Sequence, residues 1–152
     1  MQPMKSFLWF DTEAAEAANF YTSLFEDGKI INVNHYGEGM PKPAGTVMTV
    51  VFQMNGMEFI ALNGGPEFKF NSSISFVVPC DTQAEIDKLW DALTANGGKP
   101  VQCGWLVDRF GLSWQIVPAK MGEFAKSPAA MKAMMGMTKL DMDVMERAAK
   151  GA

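Results

Sequence analysis

The sequence predicts an α+β fold made of two pseudo-symmetric βαβββ modules followed by a helical tail. Three observations predict it. The chain repeats itself at an offset of 70: residues 10–33, "FDTEAAEAANFYTSLFEDGKIINV", lie over residues 80–103, "CDTQAEIDKLWDALTANGGKPVQC", without a gap. Asp11-Thr12 then falls on Asp81-Thr82, Phe20 on Trp90, and Gly28-Lys29 on Gly98-Lys99. Each copy shows the same order of signals, a strand, a cap, an amphipathic helix, a glycine stop and a strand. Each is followed by further strand-like runs separated by turn residues. The resulting division is one domain over 1–152, with a first module at 1–65, a second at 66–118 and a methionine-rich tail at 119–152.

The first strand of each module is a short apolar run bounded by breakers, "MKSFLWF" and "SSISFVV". Thr12 or Asp11, and Thr82 or Asp81, are expected to cap the helices, because a short oxygen-bearing side chain can accept a first-turn N–H. Ala15, Ala18, Phe20-Tyr21, Leu24 and Phe25 recur at helical spacing, as do Ile86, Leu89-Trp90 and Leu93. Gly28 and Gly97-Gly98 are expected to end these helices. Three strands follow in the first half, over 30–36, 46–54 and 57–62, and Asn55-Gly56 is the hairpin signal between the last two. In the second half the runs are 99–102, 104–107 and 112–117, with "DRFG" at 108–111 as a solvated turn. Beyond Lys120 the chain carries seven of its 13 methionines and no strand pattern. Ser127-Pro128 reads as a helix start. Met131, Met134 and Met135 make one apolar stripe, Gly136 interrupts it, and Leu140, Val144, Met145 and Ala148 make a second.

Composition narrows the function. Hydrophobic residues make up 48% and charged residues 20%, the balance of a chain with a packed core. A net charge of −4 with no Lys/Arg run gives no electrostatic footprint for nucleic acid or an anionic membrane surface. No apolar run approaches the ~18 residues that span a bilayer. Cys80 and Cys103 form no metal or redox spacing, and with no secretory leader pattern they read as free thiols of a cytoplasmic protein.

The stretch "CGWLVDRFGLSWQIVP", 103–118, looks chemical but reads as a hairpin. Side chains alternate along a strand. Leu112, Trp114 and Ile116 form a large apolar face toward the helices, and Ser113, Gln115 and Val117 form a mixed face suited to lining a cavity. Trp105 and Val107 share a face, with Cys103 if that strand runs straight. Gln115 can orient a ligand but cannot act as a base near pH 7. No Lys or His lies nearby in sequence to activate Cys103. The single histidine, His35, precedes a glycine-rich loop and reads as a surface residue.

The repeated βαβββ unit resembles the vicinal oxygen chelate superfamily, the glyoxalase/bleomycin-resistance/dioxygenase proteins. "FLWFDTEAAEAANFYTSLF", "LNGGPEFKFN", "SFVVPCDTQAEIDKLWDAL" and "QCGWLVDRFGLSWQIVP" resemble its PhnB-like, 3-demethylubiquinone-9 3-methyltransferase-like branch, over nearly the whole chain. The resemblance implies eight strands in two curved sheets around a cavity, in a homodimer. It also implies metal positions on the first and last strand of each module. These fall on Gln115 and Ile60, and on Met4 or Ser6 and Ile74 or Phe76. Only Gln115 among them is a plausible ligand, and a lone amide cannot hold Zn²⁺, Ni²⁺ or Fe²⁺. No metal and no cofactor are therefore expected. The methyltransferase label finds no glycine-rich S-adenosylmethionine loop, since "YGEGMPKP" precedes a strand and carries prolines that block a helix.

The expected function is binding of a small, ring-containing organic ligand in a metal-free cavity between the sheets. Trp9 or Phe10, Glu58, Asn63, Ser75, Trp105, Ser113 and Gln115 are the expected lining. The alternative is an enzyme of the superfamily, with Glu58 as the candidate catalytic carboxylate. A third reading is an interaction protein whose methionine-rich tail is a dimer contact.

Overall fold

A computed structural model describes residues 1–151. The described residues form two compact units, one over Met1–Lys69 and one from Phe70 onward. In the first, β1 (Ser6–Phe10), α1 (Ala14–Ser23), β2 (Lys29–His35), β3 (Val47–Met54) and β4 (Met57–Asn63) build a sheet of order β1-β4-β3-β2. In the second, β5 (Ser75–Cys80), α2 (Gln83–Thr94), β6 (Lys99–Pro100), β7 (Trp105–Val107) and β8 (Ser113–Pro118) repeat that order as β5-β8-β7-β6. The outer pair β1 and β4 is parallel, as is β5 and β8, while the remaining neighbours are antiparallel. No helix among the described residues is long and apolar enough to cross a membrane.

Each sheet buries one face under its helix. In the first unit Leu8, Phe10, Val50, Phe52, Phe59 and Ala61 meet Ala14, Ala17, Ala18 and Tyr21 of α1. Phe52 stacks between Tyr21 and Phe59, with ring centroids 6.3 and 5.3 Å away. Full burial of such a ring contributes about 2–3 kcal/mol. In the second unit Ile86, Leu89, Trp90 and Leu93 of α2 cover Val78, Leu106, Trp114 and Ile116.

The two helices begin differently. Thr82 caps α2 through a capping box with Glu85, as its sequence predicts. Neither Thr12 nor Asp11 caps α1. Glu13 occupies the cap position without a side-chain bond, and the Ala14 N–H donates instead to Asn63 Oδ1, 2.8 Å away at the end of β4. The Asn63 amide also donates to the Val47 carbonyl at 3.1 Å, and its own carbonyl accepts the Tyr36 hydroxyl at 2.6 Å. Asn63 thus ties α1, β3 and the residue after β2 together. Asn63→Ala is expected to lower stability by about 2 kcal/mol in urea unfolding, the loss of a cap plus a second bond. A loss below about 0.5 kcal/mol would show that solvent serves α1 equally well.

Gly28 and Gly98 stand where the repeat places them, but the reason is not a left-handed helix end. The helices cap earlier, at Leu24 and Ala95. Each glycine lies where the returning chain presses on the last helical turn. A Cβ at Gly28 would sit 1.9 Å from the Thr22 carbonyl oxygen, and one at Gly98 would sit 2.4 Å from that of Leu93. Asn55-Gly56 turns as predicted, with φ of 47° and 75°. Asp27 clasps that turn, accepting the Asn55 and Gly56 N–H at 2.8 and 2.7 Å. The Gly56 N–H bond is the main reason its carboxyl is held below the usual range.

The "DRFG" turn is not solvated throughout. Asp108 is 3% exposed. Its carboxylate accepts the Phe110 N–H at 2.9 Å, the Leu112 N–H at 3.1 Å and the Trp114 indole N–H at 2.9 Å. Arg109 lies over the Phe110 ring, 4.7 Å from its centroid.

The tail forms α3 (Met121–Phe124), α4 (Pro128–Met135) and α5 (Met142–Ala149) against the second unit. Ser127 and Pro128 start α4 as expected. The stripes shift, however. Met135 is exposed, Ala130 is the buried residue of α4, and α5 buries Met142 and Met145 rather than Val144 and Ala148. Val117, Phe124, Ala130, Leu140 and Met145 form one core cluster. The Gln83 amide fastens it, donating to the Leu140 carbonyl at 3.0 Å and accepting the Met142 N–H at 2.9 Å. Lys139–Asp87 and Lys120–Glu146 ion pairs add to it. Cys103 also leaves the expected strand: its φ of 61° breaks the path before β7, and its N–H donates to the Met137 carbonyl.

Candidate ligand-binding site

The face of each sheet opposite its helix is where strand alternation sends the remaining side chains. On the first unit, Phe7, Ile60, Val51 and Asn32 lie side by side across the four strands. The next row is Trp9, Leu62, Thr49 and Asn34. The centre is apolar, with Phe7 57% exposed. Glu58 lies on this face and is engaged by Lys5 at 3.0 Å, so it does not stand as a lone carboxylate.

The linker after β4 fixes Trp9. Its indole N–H donates to the Gly65 carbonyl at 2.9 Å, and Phe68 packs edge-on with centroids 4.9 Å apart. A side chain at Gly64 would lie 2.4 Å from the indole ring, so only glycine allows this approach. Phe10 and Asn63 fall on the helix side, one in the core and the other capping α1. Parity separates Trp9 from Phe10, a choice that the sequence leaves open.

On the second unit, Val77, Gln115 and Trp105 form one row, and Ser75, Ser113 and Val107 the next. The Gln115 amide donates to Ser75 Oγ at 2.9 Å. Ser113 is buried and shares a 3.1 Å hydrogen bond with Ser72. The Gln115 Oε1 atom, its second N–H and the Ser75 hydroxyl proton remain to meet a ligand or water. Val77 is half exposed and Trp105 partly so. Cys80 points into the core instead, where burial, with the Glu85 and Asp81 carboxylates adding to it, pushes its thiol up to about 11.

The amino-acid sequence matches the family described as 3-demethylubiquinone-9 3-methyltransferase over residues 2–117. The PhnB protein of Bacillus cereus is 35% identical, over 78% of this chain and 100% of that one, with a TM-score of 0.71. The chain belongs to the PhnB-like, 3-demethylubiquinone-9 3-methyltransferase family. Protein PA1353 of Pseudomonas aeruginosa shares the fold at 21% identity, covering 78% of this chain and 98% of that one, with a TM-score of 0.63. A comparison with curated proteins found no match. The paired βαβββ units are the fold that this PhnB-like chain shares with the Bacillus cereus PhnB protein. The family match ends before α3, so the three tail helices lie outside it.

The register corrects the expected metal positions. The first-strand residues beside Ile60 and Gln115 are Phe7 and Val77, neither Met4 nor Ser6 and neither Ile74 nor Phe76. Phe7, Ile60 and Val77 carry no donor atom, and Gln115 offers one neutral oxygen. This set does not fit a divalent metal. Among the described residues, no group of three His, Cys, Asp or Glu side chains is placed to hold one either.

Proposed function

We propose that this PhnB-like protein binds a small, uncharged, ring-containing organic molecule without a metal ion, as a homodimer. The observation that carries the reading is the Gln115–Ser75 pair set between Trp105 and Val77 on the sheet face opposite α2. Trp105 and Val77 offer a ring apolar surface, and the amide and hydroxyl offer it one acceptor and two donors. Convergent neutral polar groups within apolar surroundings orient a ligand and select against charge, which would be desolvated without a counter-ion. The first unit's own face opposite α1 carries Trp9 and Phe7 as ring-sized apolar surface. The homodimer follows the family resemblance.

Native mass spectrometry of the purified protein, with a denatured control and elemental analysis, tests this. A dimer carrying a removable organic mass and no stoichiometric metal is the expected result. A stoichiometric metal would overturn the metal-free reading. Gln115→Leu is expected to weaken retention of that molecule about tenfold, because the neutral groups it meets lose their partner. Equal retention by the variant would place the ligand elsewhere.

A further inference from the structure

The connection from β2 to β3 folds beside the start of α1 and leaves a half-open pocket, about 510 Å³, within the first unit. Asn63, whose side chain faces the helix, lies in its wall. The cavity thus belongs to the helix side of the sheet, not to the face that carries Phe7 and Trp9. Its size is that of small-molecule sites. Ala15, Tyr36, Pro43 and Val47 give it an apolar lining.

The neutral polar groups of Asn63 and Tyr36 are already engaged, the amide at both ends and the hydroxyl on the Asn63 carbonyl. The charged side chains of the lining are Lys42 and Asp11. Neither has an ion-pair or hydrogen-bond partner among the described residues, and they do not pair with each other. The Lys42 ammonium lies against the linker, 3.2 Å from where a Cβ on Gly65 would stand. Glu67 comes near the same point yet forms no ion pair with it. Asp11 lies just past the end of β1. One cation and one anion, neither held in an ion pair, beside an apolar wall match a molecule carrying both opposite charges and an apolar body. A ligand with a single charge would engage only one of the two.

We propose that this cavity binds an amino-acid-like zwitterion with an apolar side chain, its carboxylate on Lys42 and its ammonium on Asp11. The test is an amide NMR titration of the full chain with L-phenylalanine, compared with 3-phenylpropionate and 2-phenylethylamine. L-phenylalanine is expected to give saturable shifts at the amides of Ala15, Gly45 and Val47 and to leave the Gln115 side-chain amide unmoved. Each single-charge analogue is expected to bind about tenfold more weakly, and K42M and D11N should each weaken L-phenylalanine by a similar factor. The analogue comparison needs no variant, so it decides the matter even if one fails to fold. Shifts that do not saturate, shifts centred on another surface, or analogues that bind as well as L-phenylalanine would overturn the proposal. None of these outcomes moves the Gln115 reading, which has its own probe.

Discussion

Asp108→Ala is expected to destabilise the protein by about 3–5 kcal/mol, a large share of what holds a domain of this size. The carboxylate accepts two backbone N–H groups inside its own turn and the indole N–H of Trp114, and its surroundings are closed to water. Removing it leaves three donors without an acceptor, and a small cavity. Each buried donor left unsatisfied costs about 1–3 kcal/mol. Asp108→Asn should cost less overall, since one amide oxygen can still accept from the turn, but its NH₂ then faces the Trp114 indole N–H, donor against donor. Adding Trp114→Phe removes that conflict. The double variant is therefore expected to lose less than the two single losses combined. Urea unfolding of the wild type, the three single variants and the double variant measures this directly. A loss below about 1 kcal/mol for Asp108→Ala would mean that the turn is held by its backbone alone.

Gly28→Ala is expected to cost about 3 kcal/mol or more, because a methyl group there meets backbone rather than a side chain that can swing away. The 1.9 Å approach to the Thr22 carbonyl forces the end of α1 or the start of β2 to move. Gly98→Ala makes the equivalent contact at 2.4 Å and should cost less. Gly122→Ala is the control. Nothing lies within 4 Å of its added carbon, and alanine favours its helix by up to about 1 kcal/mol. Thermal unfolding that ranked the three in another order would refute close approach as the reason for the repeated glycine.

The fold was legible because local signals agreed with one another. Period-two alternation puts Leu112, Trp114 and Ile116 in the core as expected, and the offset of 70 places Gly28 and Gly98 in equivalent positions. The same offset relates Phe7 to Val77, although sequence alone did not fix which first-strand residues stand beside β4 and β8. What escaped were the long-range partners. The cap of α1 comes from Asn63, 49 residues away, and no local pattern announces it. Asp108 sits in a turn sequence that ordinarily meets water, and its burial depends on Trp114 reaching back to it. The zwitterion cavity escaped for the same reason, since its charged residues come from a strand end and a loop far apart in sequence. A cue was available in "DRFGLSW": an acid six residues before a buried tryptophan can reach its indole across a tight hairpin.

The parallel pairing of β1 with β4 carries a kinetic consequence. Phe7 meets Ile60 across about 50 residues, whereas β2, β3 and β4 are joined by short connections. Closing so long a loop is entropically the most costly step of the first unit, so the meander with its Asn55-Gly56 turn forms early and the N-terminal strand docks late. In the second unit Val77 waits about 40 residues for Gln115, and its meander is built from much shorter strands. Until β1 docks, β4 presents an open edge with Phe59 and Ala61 uncovered on one side. The interval before closure is when a newly made chain is most exposed to pairing with a neighbour.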